Sequence, residues 1–162
     1  RPPMTEFRAA PLDSTARVVS GVLVVMLVVI GVVMWTLAGP AVGPFVAVLY
    51  VIVLALSWAM APRSYAVQGG DLVVNRNAWR PFRSPLRGLA EMSEPGRMGL
   101  RVAGSGGGFG YYGRFRRSDI GAYRAYLTSR ANDIVVPVTT DVGIVTVSPA
   151  DPQSFVARVS GR

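Results

Sequence analysis

The run Val18–Ala38, VVSGVLVVMLVVIGVVMWTLA, is followed after Gly39-Pro40 by a second, Ala41–Ala61, AVGPFVAVLYVIVLALSWAMA. Neither contains a charged side chain. At roughly 1.5 Å of rise per residue, each is long enough to span roughly 30 Å, the thickness of a bilayer's hydrocarbon core. The reading is a transmembrane α-hairpin with helices over 18–38 and 41–61. Residues 1–17 then form an N-terminal arm, and residues 62–162 form one small domain, long enough for a single modest core.

Arg8 and Arg17 precede the first run and Arg63 follows the second, whereas the link Gly39–Pro44 is uncharged. By the positive-inside rule both termini and the C-terminal domain lie in the cytoplasm, with the Gly/Pro turn on the far side. Trp35 and Trp58, with Arg17 and Arg63, stand where interfacial anchors are expected. Gly43, Ala47, Ala55 and Ala59 form a row of small residues that lets a second helix approach closely, either the first helix or another membrane protein. Ser20, Thr36, Tyr50 and Ser57 are the polar residues inside the spans, too few for an ion or proton path. The hairpin reads as an anchor.

Composition narrows the chemistry. The chain has no cysteine and no histidine, so it lacks a disulfide, a thiolate metal site, a cysteine nucleophile, and the commonest general base and metal ligand. All 17 basic residues are arginine, against nine acids, for a formal charge of +8. That excess suits anionic partners, and it also follows from the positive-inside rule alone.

Beyond Ser64 the pattern changes to short runs bounded by turn residues. Ser64–Val67 and Leu72–Arg76 flank Gln68-Gly69-Gly70-Asp71, a hairpin signal. Trp79–Arg83 and Leu89–Ser93 are weaker strand candidates, interrupted by Pro81 and Pro85. Ala122–Thr128, Ile134–Thr139 and Ile144–Ser148 read as three further strands. A C-terminal helix begins with Ser148 as cap, Pro149 at the first helical position and Asp151 three residues after the cap. Phe155 and Val159, four apart, share the face that covers the sheet. The fold class is a membrane α-hairpin plus an α+β, mostly-β domain, a bent antiparallel sheet or partly open barrel closed by one helix.

The run Gly110-Tyr-Tyr-Gly-Arg-Phe-Arg, with Tyr126-Leu-Thr128, Val135-Val-Pro-Val-Thr139 and Val147-Ser-Pro-Ala-Asp-Pro-Gln-Ser-Phe155, resembles a bacterial pleckstrin-homology-like (PH-like) domain over roughly residues 62 to 160. The resemblance implies a seven-stranded, strongly bent sheet capped by a C-terminal helix, often behind a pair of membrane spans, and no enzymatic activity. Phosphoinositide-binding relatives carry a basic loop between the first two strands. The matching segment here, Gln68–Asp71, has no basic residue and one acid, which speaks against that site.

The glycine-rich stretch Gly104–Gly110 has neither G-x-G-x-x-G nor G-K-[ST] spacing and reads as a mobile inter-strand loop, long enough to meet a partner. Tyr111, Tyr112, Arg114, Arg116 and Arg117 form the densest basic-aromatic cluster and are the candidate partner or lipid contacts. No recognition helix or stacking motif points to nucleic acid. No catalytic residue, cofactor site or metal site is assigned. The sequence therefore leads to a non-catalytic, membrane-anchored binding module. It is either an accessory or scaffolding subunit of a larger integral-membrane complex (respiratory, photosynthetic, secretory or envelope) or a sensor of anionic lipid headgroups.

Overall fold

Gly69 and Gly70 turn the chain between β2 (Pro62–Gln68) and β3 (Asp71–Arg76), with Gln68 opposite Asp71 as the hairpin signal requires. From this pair a computed structural model extends over residues 5–161; residues 1–4 of the arm and residue 162 of the domain lie outside the described residues. The other strands are β1 (Thr5–Arg8), β4 (Phe82–Leu89), β5 (Leu100–Gly107), β6 (Gly110–Arg117), β7 (Gly121–Leu127), β8 (Val136–Thr140) and β9 (Gly143–Val147). Two helices, α1 (Ser14–Met60) and α2 (Pro152–Ser160), complete the described residues.

The strands form one nine-stranded sheet in the order β1-β2-β3-β4-β8-β9-β7-β6-β5. The sheet is mixed where an antiparallel one was expected, because β7 and β9 run parallel. Its extra members also depart from the seven strands implied by the resemblance. β1 comes from the N-terminal arm and pairs antiparallel with β2, Phe7 opposite Tyr65. β6 carries the Tyr/Arg cluster. In place of the two broken candidates over 79–83 and 89–93 stands one strand, β4. It contains Pro85, whose carbonyl oxygen accepts from Asp141 N–H just past the end of β8, so the missing N–H falls where that pairing stops.

The glycine-rich stretch is not a loop. It forms the second half of β5 and the tight turn into β6, with Gly107 opposite Gly110. Gly104 and Gly113 face each other across this hairpin at φ +118° and +123°. A Cβ on Gly104 would lie 2.1 Å from the Tyr112 carbonyl oxygen, and one on Gly113 equally close to that of Ala103. The backbones cross too closely for any side chain, so glycine here buys curvature of the ribbon.

α1 also differs from expectation. Two separate helices with a turn over 39–44 were expected, but the structure has one long helical element, and it starts at Ser14. Asp13 caps it by accepting from the Ala16 N–H at 2.7 Å. The element is broken at Gly39, whose φ of 85° and ψ of 176° are open to glycine and costly elsewhere. Pro40, which needs no hydrogen-bond donor, takes the first position after the break. The two arms then lie side by side: a Cβ on Gly31 would be 3.9 Å from that of Ala47, and one on Gly43 would be 2.8 Å from Trp35 Cα.

Two clusters make the core. The larger joins Tyr65, Leu72, Val74, Val138, Val145 and Val147 to Phe155 and Val159 of α2, as the four-residue spacing predicts. Phe7 packs edge-on against Phe155, ring centroids 5.3 Å apart, so β1 helps to seat α2. The second cluster holds Tyr111, Phe115, Tyr123, Leu127 and, from α1, Ala16. α2 begins later than expected. Asp151 is its cap, accepting from Ser154 N–H at 3.0 Å, and Pro152 opens the helix. Ser148, the expected cap, is fully buried, and its hydroxyl accepts from Thr128 N–H at 2.8 Å.

Candidate functional site

The β5–β6 hairpin grips α1 near its two ends. Its turn donates the Phe109 N–H to Ser20 Oγ on the first arm at 2.8 Å, and Ser20 in turn donates to Ala16 carbonyl oxygen at 2.6 Å. Tyr112 hydroxyl donates to the carbonyl of Ser57 on the second arm. Burial raises the Tyr112 pKa above its ordinary value, so the phenol stays a donor. Asp13 ties the start of α1 to the sheet: it accepts from Tyr111 hydroxyl and from Arg130 N–H, both at 3.1 Å. Tyr111 is likewise pushed up, first by burial and then by the Asp13 charge.

The turn between β3 and β4 meets the other end of α1. Asn77 donates from its side chain to Trp58 carbonyl oxygen at 2.9 Å, and Ala78 N–H to that of Ala59 at 3.0 Å. This docking brings the turn that carries exposed Trp79 and Arg80 to the end of α1 that carries exposed Trp58. The apolar remainder of α1 is uncovered, and the element is long and apolar enough to cross a membrane.

Between the arms and the hairpin lies a cleft of about 520 Å³. Its apolar walls include Val19, Leu23, Val53 and Leu56; Arg101 and Ser105 supply polar groups. A second feature is a basic face on β6 and β7. Strand alternation puts Tyr112, Arg114 and Arg116 on one side of β6, with Arg124 opposite Arg114 on β7. Arg124 lies over the Phe82 ring at 5.4 Å, Phe82 packs on Tyr126 at 5.0 Å, and Arg76 covers Tyr126 at 5.3 Å. Among the described residues, ion pairs to carboxylates are made by Arg87, Arg97, Arg117 and Arg130. Arg76, Arg101, Arg114, Arg116 and Arg124 have none.

The structure thus divides the predicted contact cluster. Arg114 and Arg116 are exposed on the basic face. Tyr111 and Tyr112 are buried and hold α1. Arg117 is buried too: it donates to the carbonyl oxygens of Ser93, Glu94 and Arg97 and pairs with both oxygens of Asp119. Those bonds hold the Asp119 carboxyl below the usual carboxylate range. Of the small-residue row, Gly43 and Ala47 pack against the first arm, Ala59 is half-buried and Ala55 is exposed. Trp35, Trp58, Arg17 and Arg63 are all exposed.

Sequence reasoning passed over Trp79, Arg80, Arg101 and Arg124. Trp79-Arg80 beside Pro81 carried a legible signal, an aromatic-basic pair at a turn. Arg101 and Arg124 had no local signal, since only the folded sheet brings them to the helix and to Arg114. Among the described residues no three carboxylates converge to hold a metal ion.

A family model described as "Bacterial PH domain" matches residues 63–162. No curated protein and no solved structure matches the chain. The nine-stranded sheet with its C-terminal helix agrees with that family, and its matched span covers most of the chain. The chain belongs to the bacterial PH domain family.

Proposed function

We propose that the protein is a membrane-anchored, non-catalytic binding module, serving as an accessory or scaffolding subunit that stabilises a larger integral-membrane complex. The observation that carries this reading is the open edge of β5. Among the described residues the strand ends the sheet, pairs only with β6, and exposes Leu100 and Val102 at 76% and 62%. A long edge with exposed apolar side chains is a template for another strand. The uncovered apolar surface of α1 supports membrane anchorage, and Arg8, Arg17 and Arg63 flanking it favour a cytoplasmic PH domain at a bacterial inner membrane.

The full chain, extracted from its own membranes in mild detergent, is expected to migrate as part of an assembly of fixed stoichiometry. Leu100→Lys with Val102→Lys is expected to release it, while Arg114→Ala with Arg116→Ala leaves it bound. A wild-type chain found only as monomer overturns the subunit role.

A second reading has the basic face meeting anionic headgroups, favoured by the carboxylate-free set Arg114, Arg116 and Arg124. It predicts that hydrogen-exchange protection of β6 in the full chain depends on anionic lipid and weakens as salt rises. Equal protection in neutral bilayers sinks it.

A further inference from the structure

The geometry points to the cleft between the two arms of α1 and the β5–β6 hairpin as a stoichiometric site for a single anionic phospholipid. The inference rests on the membrane-anchored reading and adds to it a defined ligand.

The cleft has two chemistries, placed as a lipid needs them. Val19, Leu23, Val53 and Leu56 give an apolar wall continuous with the uncovered surface of α1, suited to an acyl chain. At the hairpin side Arg101 lies across Gly106: a Cβ there would be 3.5 Å from Arg101 Nη1. No carboxylate among the described residues pairs with Arg101, so its planar, five-donor fork is open to a phosphate. Ser105, on the same wall, donates its hydroxyl to Gly108 carbonyl oxygen at 2.8 Å, which fixes the turn beside the headgroup position.

Height argues the same way. Ser57 lines the cleft, and its neighbour Trp58 is exposed near the end of α1, where an aromatic is expected at headgroup level. The arginine therefore stands where phosphates are, with the apolar wall running away from it into the hydrocarbon. The site differs from the basic face of β6 and β7 in kind: it seats one molecule in a groove, where an open charged face gathers many.

The test uses the full chain in nanodiscs of neutral phosphatidylcholine doped with anionic phosphatidylglycerol, followed by native mass spectrometry. One phosphatidylglycerol retained per chain is the expected result. Arg101→Ala should lower its retention about tenfold relative to phosphatidylcholine, the scale of one charge-assisted hydrogen bond. Arg101→Lys, which keeps the charge, should restore part of it. Leu56 is 45% exposed and tolerates a larger side chain, so Leu56→Trp should exclude both lipids by filling the wall. Insertion with no retained phospholipid, or unchanged retention in Arg101→Ala, overturns this site alone. A chain that fails to float with lipid overturns the membrane reading and this site with it.

Discussion

Tyr112 on β6 donates its phenol proton to the main-chain oxygen of Ser57, one turn before α1 ends, while the same hairpin's Phe109 N–H reaches Ser20 on the other arm. Both arms are thereby fixed to one ribbon of the sheet. Tyr112→Phe and Ser20→Ala should each destabilise the folded chain by about 1 kcal/mol, and Ser20→Ala by somewhat more, because it strands a partly buried N–H. Thermal denaturation in detergent measures the loss. Distance measurements between labels on the first arm and on β6 should broaden most in the double variant, and an unbroadened distribution would show that the clamp is not made.

Gly113→Ala should be far worse than an average surface change. Its Cβ would lie 2.1 Å from Ala103 carbonyl oxygen, at a φ that alanine rarely adopts, so the hairpin must open. A loss of about 3 kcal/mol is expected from backbone strain and overpacking together. Gly69→Ala is the control: its Cβ meets nothing, and it should cost about 1 kcal/mol from φ alone. Equal melting temperatures for the two variants would contradict the close crossing.

Arg117 and Arg116 are neighbours with opposite duties. Arg117→Met removes five donated hydrogen bonds and leaves three main-chain carbonyls of the Ser93–Arg97 segment short of a donor, so it should cost about 2 to 3 kcal/mol. Arg116→Met should stay within about 0.5 kcal/mol, as for other exposed positions. Urea unfolding separates the two. Arg117 with Asp119 also gives an acid signature: the Asp119 pKa is lowered in the folded state by the Arg117 hydrogen bonds, so its contribution is present above the unfolded carboxylate pKa and fades as pH falls through the folded one. Asp119→Asn should flatten that acid slope.

Tyr65 governs the alkaline side. Burial pushes its pKa from 10.0 up to about 12, and its hydroxyl donates to Tyr126 carbonyl oxygen at 2.6 Å. A raised pKa means that the folded state holds its proton longer than the unfolded one. Its contribution is therefore complete below pH 10 and is lost as pH rises towards 12. Tyr65→Phe should cost about 1 kcal/mol at neutral pH and show a shallower alkaline decline than wild type, read from unfolding midpoints across that range.

Elements with a local signal were readable from the residues: the Gln68–Asp71 hairpin, the strands now seen as β7, β8 and β9, and the buried pair Phe155 and Val159. What escaped depended on distant partners. β1 has only four residues, and it becomes a strand because β2 offers it an edge. The glycine-rich run looks like a loop to any propensity rule, yet Gly104 and Gly113 make a strand pair because neither backbone has a side chain to keep the other away. Tyr111 and Arg117 lie on the face of β6 opposite Arg114 and Arg116, as strand alternation dictates, whereas Tyr112 shares the arginines' face and is covered there only because α1 docks on it. α1 and the core claim Tyr111, Tyr112 and Arg117, which leaves Arg114 and Arg116 exposed.

The pairing of β1 with β2 has a topological meaning. Arg8 and Ser64 sit opposite each other in the ladder, about 5 Å apart as neighbouring strands are, so the whole of α1 is the connection of one antiparallel hairpin. Strand pairing cannot close through a bilayer. Any excursion that α1 makes into lipid must return to the side it left, whatever the distribution of arginines. It also follows that the anchor is an insertion between two neighbouring strands, and a fragment cut at residue 62 would lose β1 and leave β2 with an exposed edge.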